Sequence, residues 1–330
     1  MSGVYDDGFL ARTEAGLKAA LPRWGLAPET ELSLLTISEN ATFRATSTGQ
    51  GDLVFRVHRP GYHSRVEIGS ELAWISALRA GEVVTTPRPV PLRDGSLIGD
   101  LDDAGTLRHV VAFEFVPGAE PAADAELAGW FRQLGGIHAT LHAHARSWQR
   151  PDWFTRKRWN FASMLGGRPL WGDWRAGLGL DAAGRAHLQR AVDLLERQCA
   201  TMCEHAGNFG LVHADLRLAN LLVDGTKLAL IDFDDCGFSW FLYDFAAAIS
   251  FIEHEPYLPE LQDAWVEGYR AIAPLSAEDV ERLQVFVMLR RILLTAWIAS
   301  HYETPTAHMM GTAYTDGTLV LAERFLARFG

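Results

Sequence analysis

His213, Asp215 and Asn220 stand in H-x-D-x4-N spacing, and Asp232 closes the same stretch, LVHADLRLANLLVDGTKLALIDFDD from Leu211 to Asp235. Magnesium prefers oxygen donors and is usually bound through one or two carboxylates together with substrate phosphates and retained waters. Asn220 and Asp232 suit that need. A phosphoryl acceptor also requires a carboxylate that orients its hydroxyl and takes its proton, and Asp215 remains for that task. The chemistry available to these residues is metal-assisted transfer of a phosphoryl group to an alcohol. The competing reading is a buried hairpin whose aspartates cap turns, but three spaced residues, a turn and a further aspartate together favour a site.

Elements must bring these groups together. Two apolar runs, Leu221 to Val223 and Leu228 to Ile231, flank Asp224-Gly225, a dipeptide that favours a tight turn, so a hairpin is expected to return Asp232 beside Asp215 and Asn220. Upstream, helical periodicity over about 9–24 gives way to short strands at 32–37, 42–46 and 53–58. A helix over about 64–79 turns Ile68, Leu72, Ile75 and Leu78 inward. The segment from His109 to Val116 reads as a strand, and Asp124 as the cap of a helix running to about Ala145. That helix carries His138 and His142 at the i,i+4 spacing of a zinc pair, yet without the intervening glutamate of H-E-x-x-H, so packing is the preferred role. Further helices are expected from Asp181 to about His205, from Tyr243, over 260–270, from a capping-box pattern at Ser276 to about His301, and over 314–328.

With these residues in view, the chain resembles the protein-kinase-like fold, H-x-D-x4-N standing as its catalytic loop and IDFDD in place of the metal-binding DFG. More narrowly, it resembles the aminoglycoside phosphotransferase family and its relatives, among them homoserine, choline and hydroxylysine kinases and a bacterial stress-response Ser/Thr kinase. The resemblance spans most of the chain. It implies an α+β, two-lobed architecture, with a small mixed nucleotide-binding lobe over 1–115 and a large, mostly helical catalytic and substrate lobe over 116–330. It also implies ATP and magnesium as cofactors.

Residue by residue, the resemblance places Arg56 where related kinases carry a phosphate-anchoring lysine; no lysine occurs between Lys18 and Lys157. Arginine is permanently charged and can grip phosphate through two donors, so the exchange is chemically sensible. Glu71 becomes its partner, with Glu67 as competitor. Neither G-x-G-x-x-G nor a Walker-type loop is present; instead a Glu-Asn turn implies that backbone amides from Asn40 cover the phosphates, unless it is an ordinary hairpin turn. Glu114, Phe115 and Val116 resemble the hinge whose main chain binds adenine, and Leu222 the apolar residue beneath the ring. Arg217 stands where the family steadies the transferred phosphate, with a solvent-facing loop arginine as the alternative. Asp244 resembles an aspartate that braces the catalytic loop. Asp234 and Asp235 replace the end of DFG and are left between solvent-facing turn and contact with metal or substrate.

Composition narrows the partners. The chain has 330 residues, 48% of them apolar, and 41 acidic against 30 basic residues give a net charge of −11. That balance argues against nucleic acid and anionic membranes as partners. The three cysteines, Cys199, Cys203 and Cys236, lack metal-site spacing. A reduced, cytoplasmic protein is expected, with Cys199 and Cys203 as small buried residues. The apolar run from Leu283 to Ala299 contains Arg290 and Arg291 and reads as a buried helix.

A small-molecule alcohol is the expected acceptor. A long interval between Ala145 and His213, rich in tryptophan (Trp153, Trp159, Trp171, Trp174) and arginine (Arg156, Arg158, Arg168), falls where the resemblance puts the acceptor site; the same tryptophans also suit simple packing. Ala214 replaces the arginine of phosphorylation-regulated protein kinases, and no A-P-E follows. A Ser/Thr protein kinase of the stress-response type shares these departures and stays as an alternative, as does a non-catalytic nucleotide binder. Oligomeric state is open.

Overall fold

Alternating apolar residues after Glu31 build a sheet because a pleated strand turns successive side chains to opposite faces. The computed structural model describes residues 8–37, 40–47, 49, 51–121 and 127–330. In chain order it contains α1 (Phe9–Ala20), β1 (Glu31–Ile37), β2 (Ala41–Thr46), β3 (Leu53–Val57), α2 (Arg65–Ala80), β4 (Pro89–Val90), β5 (Ile98–Asp103) and β6 (Thr106–Glu114). There follow α3 (Leu127–Ser147), α4 (Phe161–Met164), α5 (Ala182–Thr201), β7 (Phe209–Val212), β8 (Leu221–Asp224), β9 (Lys227–Leu230), β10 (Gly237–Trp240), α6 (Tyr243–Ala248), α7 (Leu258–Arg270), α8 (Ala277–Ser300) and α9 (Pro305–Phe329). The expected cap at Asp124 lies outside the described residues.

The chain divides into two compact units. The first takes in the N-terminal stretch to Ala119, Arg150–Arg156 and Leu222–Asp234. Its sheet runs β1-β2-β3-β6-β4 with β5 also on β6, every pairing antiparallel. Phe43, Phe55, Val57, Val110 and Ala112 form a core with Leu17, Leu21 and Trp24. Between Phe55 and Val57, Arg56 is turned to the other face by the strand's period of two. α2 begins at a capping box, Ser64 accepting from the Glu67 amide while the Glu67 carboxylate accepts from Ser64. Its buried stripe of Ile68, Leu72, Ile75 and Leu78 includes Glu71. The β8–β9 hairpin turns at Gly225, whose φ of +60° is open to glycine without steric cost. It attaches through Val223 to Ala119 and through the Leu230 amide to the Thr85 carbonyl.

The second unit is mostly helical. α3 and α7 cross at two glycines: a Cβ on Gly135 would strike the Trp265 carbonyl, and one on Gly268 the Arg132 carbonyl. β7 and β10 pair antiparallel, Val212 opposite Gly237. α8 is long and apolar enough to cross a membrane by composition, but 83% of its most apolar window is buried in the protein, as the two arginines within it led us to expect. α9 starts earlier than the expected 314, at Pro305, with a break at Gly311 (φ 50°, ψ −148°). The cysteine expectation needs correction: Cys199 is buried, but Cys203 is exposed because α5 ends at Thr201 and no longer holds it on the inward face.

Candidate active site

In the second unit the loop after β7 is fixed from beneath by Asp244. As the first turn of α6 begins, its Oδ1 accepts from the Ala214 amide at 2.7 Å, and its Oδ2 accepts from the His213 amide at 3.3 Å and faces His142 Nε2 at 3.0 Å. Asp244 is fully buried, and burial alone would raise its carboxyl pKa. His138, His142 and the hydrogen bond from His142 outweigh that effect and hold it well below the usual carboxylate range. The histidines on α3 serve packing: His142 Nδ1 lies 3.1 Å from the Tyr269 hydroxyl, and His138 Nδ1 accepts from Trp265 Nε1 at 2.9 Å. Burial pushes His138 down to about 3 and also lowers His142. Among the described residues, no group of three or more His, Cys, Asp or Glu is arranged to hold a metal ion.

With its loop braced, Asp215 is held by both oxygens. Arg290 Nη2 donates to Oδ1 at 2.8 Å and Asn220 Nδ2 to Oδ2 at 3.1 Å, while Arg217 Nε stands 3.4 Å from Oδ1. The side chain nevertheless keeps 17% exposure, enough to meet a ligand. Asn220 Nδ2 also donates to the Asp215 carbonyl at 2.7 Å, which turns its amide oxygen elsewhere. The preceding Ala214 has a φ of +65°, a left-handed conformation that is costly for a residue with a Cβ and that collects at functional sites.

Arg290 is the residue that sequence reasoning missed. It reaches from α8 with every donor nitrogen engaged: Nη1 to the Tyr243 hydroxyl at 2.8 Å and the Ala214 carbonyl at 3.2 Å, Nε to Ser250 Oγ at 3.1 Å, and Nη2 to Asp215. Trp171 lies 5.0 Å from its guanidinium carbon. Burial opposes its charge, but Tyr243 and Asp215 keep it protonated. Burial lifts Tyr243 to about 12, so the phenol stays neutral at ordinary pH. The available signal was a pair of arginines inside an apolar helix, where an uncompensated charge would be costly.

The tryptophans of the interval mainly pack. Trp159, Trp171 and Trp174 are buried, Trp159 donating to the Asp235 carbonyl at 2.8 Å and lying 5.1 Å from the Trp171 ring; in the first unit Trp153 is 54% exposed.

In the first unit, Arg56 and Glu71 meet as expected, Nη2 lying 2.7 and 2.6 Å from the two carboxylate oxygens. Glu67, its competitor, is spent on the α2 cap. The same guanidinium stands 3.5 Å from Asp232 Oδ1 and 3.7 Å from Asp234 Oδ1. Asp232 has φ +60° and a side chain 49% exposed, so its carboxylate is presented outward from a strained backbone. Asp234 is instead buried, and its Oδ2 accepts from Asn40 Nδ2 at 2.8 Å. Burial works against its ionisation, but Arg56 and His63 keep its carboxyl well below the usual range.

Around the expected hinge, Glu114 pairs with Arg88, and the Phe115 ring lies 3.8 Å from the Arg44 guanidinium carbon. The Glu114 amide donates to the Arg88 carbonyl and the Phe115 amide to the Asp52 carbonyl. A cleft of about 440 Å³ flanks Glu114, Phe115 and Val116 but does not include Arg56, Asp232 or Leu222. Leu222, on β8, is half-buried beside Gly118. Asp215, Asn220, Arg217 and Arg290 thus belong to the second unit, and Arg56, Glu71, Asp232 and Asn40 to the first.

Residues 34–279 match the phosphotransferase enzyme family, and the chain belongs to it. It is an ATP-dependent phosphotransferase acting on a hydroxyl group, with the protein-kinase-like fold. A microcompartment-associated aminopropanol kinase of known structure is 44% identical, with a TM-score of 0.88 over 95% of this chain and 98% of that one. An uncharacterized protein of Deinococcus radiodurans is 30% identical, the match covering 83% of this chain and 80% of the relative. The amicoumacin kinase of Bacillus subtilis (strain 168) is 21% identical over 89% of this chain and 87% of its own.

Proposed function

We propose that the enzyme transfers the γ-phosphoryl group of ATP to the hydroxyl of a small amino alcohol, with magnesium as the cation. The observation that carries this reading is the fixed yet accessible carboxylate of Asp215, held by Arg290 and Asn220 on a loop braced by Asp244. Likeness to an aminopropanol kinase at 44% identity supports the acceptor class.

In this reading Asp215 orients the acceptor hydroxyl and takes its proton as the oxygen bonds to phosphorus and ADP leaves. Arg217, beside Asp215, steadies the transferred phosphate. Arg56, braced by Glu71, anchors the nucleotide phosphates, and the turn at Asn40 covers them. Main-chain groups of Glu114, Phe115 and Val116 meet adenine above Leu222. Asp232, with its half-exposed carboxylate, and Asn220, with its amide oxygen, are the proposed holders of the cation, oxygen donors of the kind magnesium takes. Bound there, magnesium supplies neutralisation of phosphate charge. Residues 1–115 then serve as nucleotide lobe and 116–330 as catalytic and substrate lobe, in a cytoplasmic enzyme without nucleic-acid or membrane partners.

The test is transfer of label from γ-labelled ATP with magnesium to a panel of 1-amino-2-propanol, ethanolamine, choline and homoserine, with Asp215→Asn protein as control. Labelled amino alcohol, absent with the variant, is expected. Label appearing only on added protein would instead favour a Ser/Thr protein kinase.

A further inference from the structure

Asp234 occupies the place of the glycine in DFG, where a carboxylate has a desolvation cost that glycine lacks. It is 5% exposed. A buried carboxylate is retained at little net cost only when it is well partnered. Its Oδ2 accepts from Asn40 Nδ2 at 2.8 Å, across 194 positions of sequence. The other end of that carboxamide, Asn40 Oδ1, accepts from the Arg59 amide at 3.2 Å. Asn40 is therefore clamped at both ends, between the exit of β3 and Asp234. Asp234 Oδ1 stands 3.7 Å from Arg56 Nη2 and 3.6 Å from His58 Nδ1, a charged neighbour to both without a direct hydrogen bond. His63 Nε2 lies 3.6 Å from Oδ2. The Asp234 main-chain carbonyl accepts from Arg156 Nη2, whose Nη1 donates to the Glu67 carbonyl at 2.9 Å in α2.

One residue thus ties together Asn40 just ahead of β2, the arginine of β3 and the first turn of α2, two positions beyond Asp232. A metal-ligand role fits poorly, because the carboxylate is buried between the Arg56 guanidinium, two histidines and Asn40.

We propose that Asp234 is a positioning residue for nucleotide binding: its carboxylate locks Asn40 ahead of β2 and aims the Arg56 guanidinium, so its loss weakens ATP binding and leaves acceptor recognition intact. This rests on the reading of Arg56 and Asn40 as nucleotide-contacting residues.

The test measures ATP affinity by calorimetry in the presence of magnesium, and KM for ATP and for 1-amino-2-propanol, in wild type, Asp234→Ala, Asp234→Asn, Asn40→Ala and the Asn40→Ala/Asp234→Ala double variant. A charge-assisted hydrogen bond of this kind predicts a loss of about tenfold or more in ATP affinity for each single alanine variant. The double variant is expected to be little worse than Asp234→Ala alone, because both single variants remove the same Asn40–Asp234 hydrogen bond. Asp234→Asn keeps an oxygen for Asn40 but no charge for Arg56 and is expected to recover part of the loss. Wild-type ATP affinity in Asp234→Ala, strictly additive effects, or a parallel rise in the acceptor KM would overturn the proposal. Should Asp234→Ala not fold, Asn40→Ala and Asp234→Asn decide it through the same split between ATP and acceptor. Failure of the wild type itself to bind ATP would bring down the underlying reading, and this inference with it, a result distinct from selective insensitivity of the variants.

Discussion

Asp215 gives one oxygen to Arg290 and the other to Asn220, so its orientation is set before any acceptor arrives. Asp215→Asn keeps the shape but removes the proposed proton acceptor, and kcat is expected to fall by about 10²–10⁴-fold, the usual contribution of general base catalysis. Steady-state assay against 1-amino-2-propanol checks this; a variant with near-wild-type kcat would exclude the base role. Arg290 acts through Asp215, Tyr243 and the Ala214 carbonyl. In Arg290→Ala we expect kcat to fall by about tenfold or more while KM for ATP stays within about twofold, reading the loss as misorientation of the reacting group. Arg290→Lys restores charge but not the forked geometry and should recover only part of it. Equal damage to kcat and to ATP affinity would point instead to general unfolding of the site. Asp215 and Asn220 were legible because their spacing is a local property; Arg290 was not, because its partner lies far off in sequence.

The helices that carry this loop depend on close approach. α3 and α7 cross with Gly135 and Gly268 at the contact, where a single methyl group would overlap a main-chain carbonyl of the other helix. Because backbone cannot yield as a side-chain end can, Gly135→Ala or Gly268→Ala is expected to destabilise the protein by about 3 kcal/mol. Chemical denaturation checks it; an unchanged midpoint would mean that the crossing is looser than described. Helix caps were easier to read than crossings. Ser64 and Ser276 form the capping boxes that their i,i+3 acidic partners announce. Which glycines face a neighbouring helix cannot be read from one helix alone.

Stability of the folded chain should depend on keeping several buried histidines neutral. His138 falls to about 3 and His142 is also lowered, chiefly through burial, against an unfolded value near 6.5. Between those values the unfolded chain binds more protons, so stability is complete above about pH 6.5 and declines as pH falls. Asp244, lowered in the folded state, adds a further loss only once pH drops below about 4. Unfolding free energy measured from pH 7.5 to 5 should therefore decrease. His138→Gln, which keeps an acceptor for Trp265, should make that slope shallower by up to about 1.4 kcal/mol per pH unit. An identical slope in the variant would show that His138 takes up no proton on unfolding.

The amino-acid order is sufficient for what depends on neighbours in the chain: the H-x-D-x4-N loop, the Asp224-Gly225 turn and the strand alternation that buries Phe43 and Phe55. Strand and helix periods, capping and turn chemistry are short-range, so they leave a readable pattern. Asp234 bonded to Asn40, Arg290 gripping Asp215, Asp244 beneath Ala214 and Cys203 left outside the helix face were settled by folding. Each depends on which distant segment arrives within a few ångströms, and the energy of a buried polar group is set by that arriving partner, not by its own neighbours in sequence.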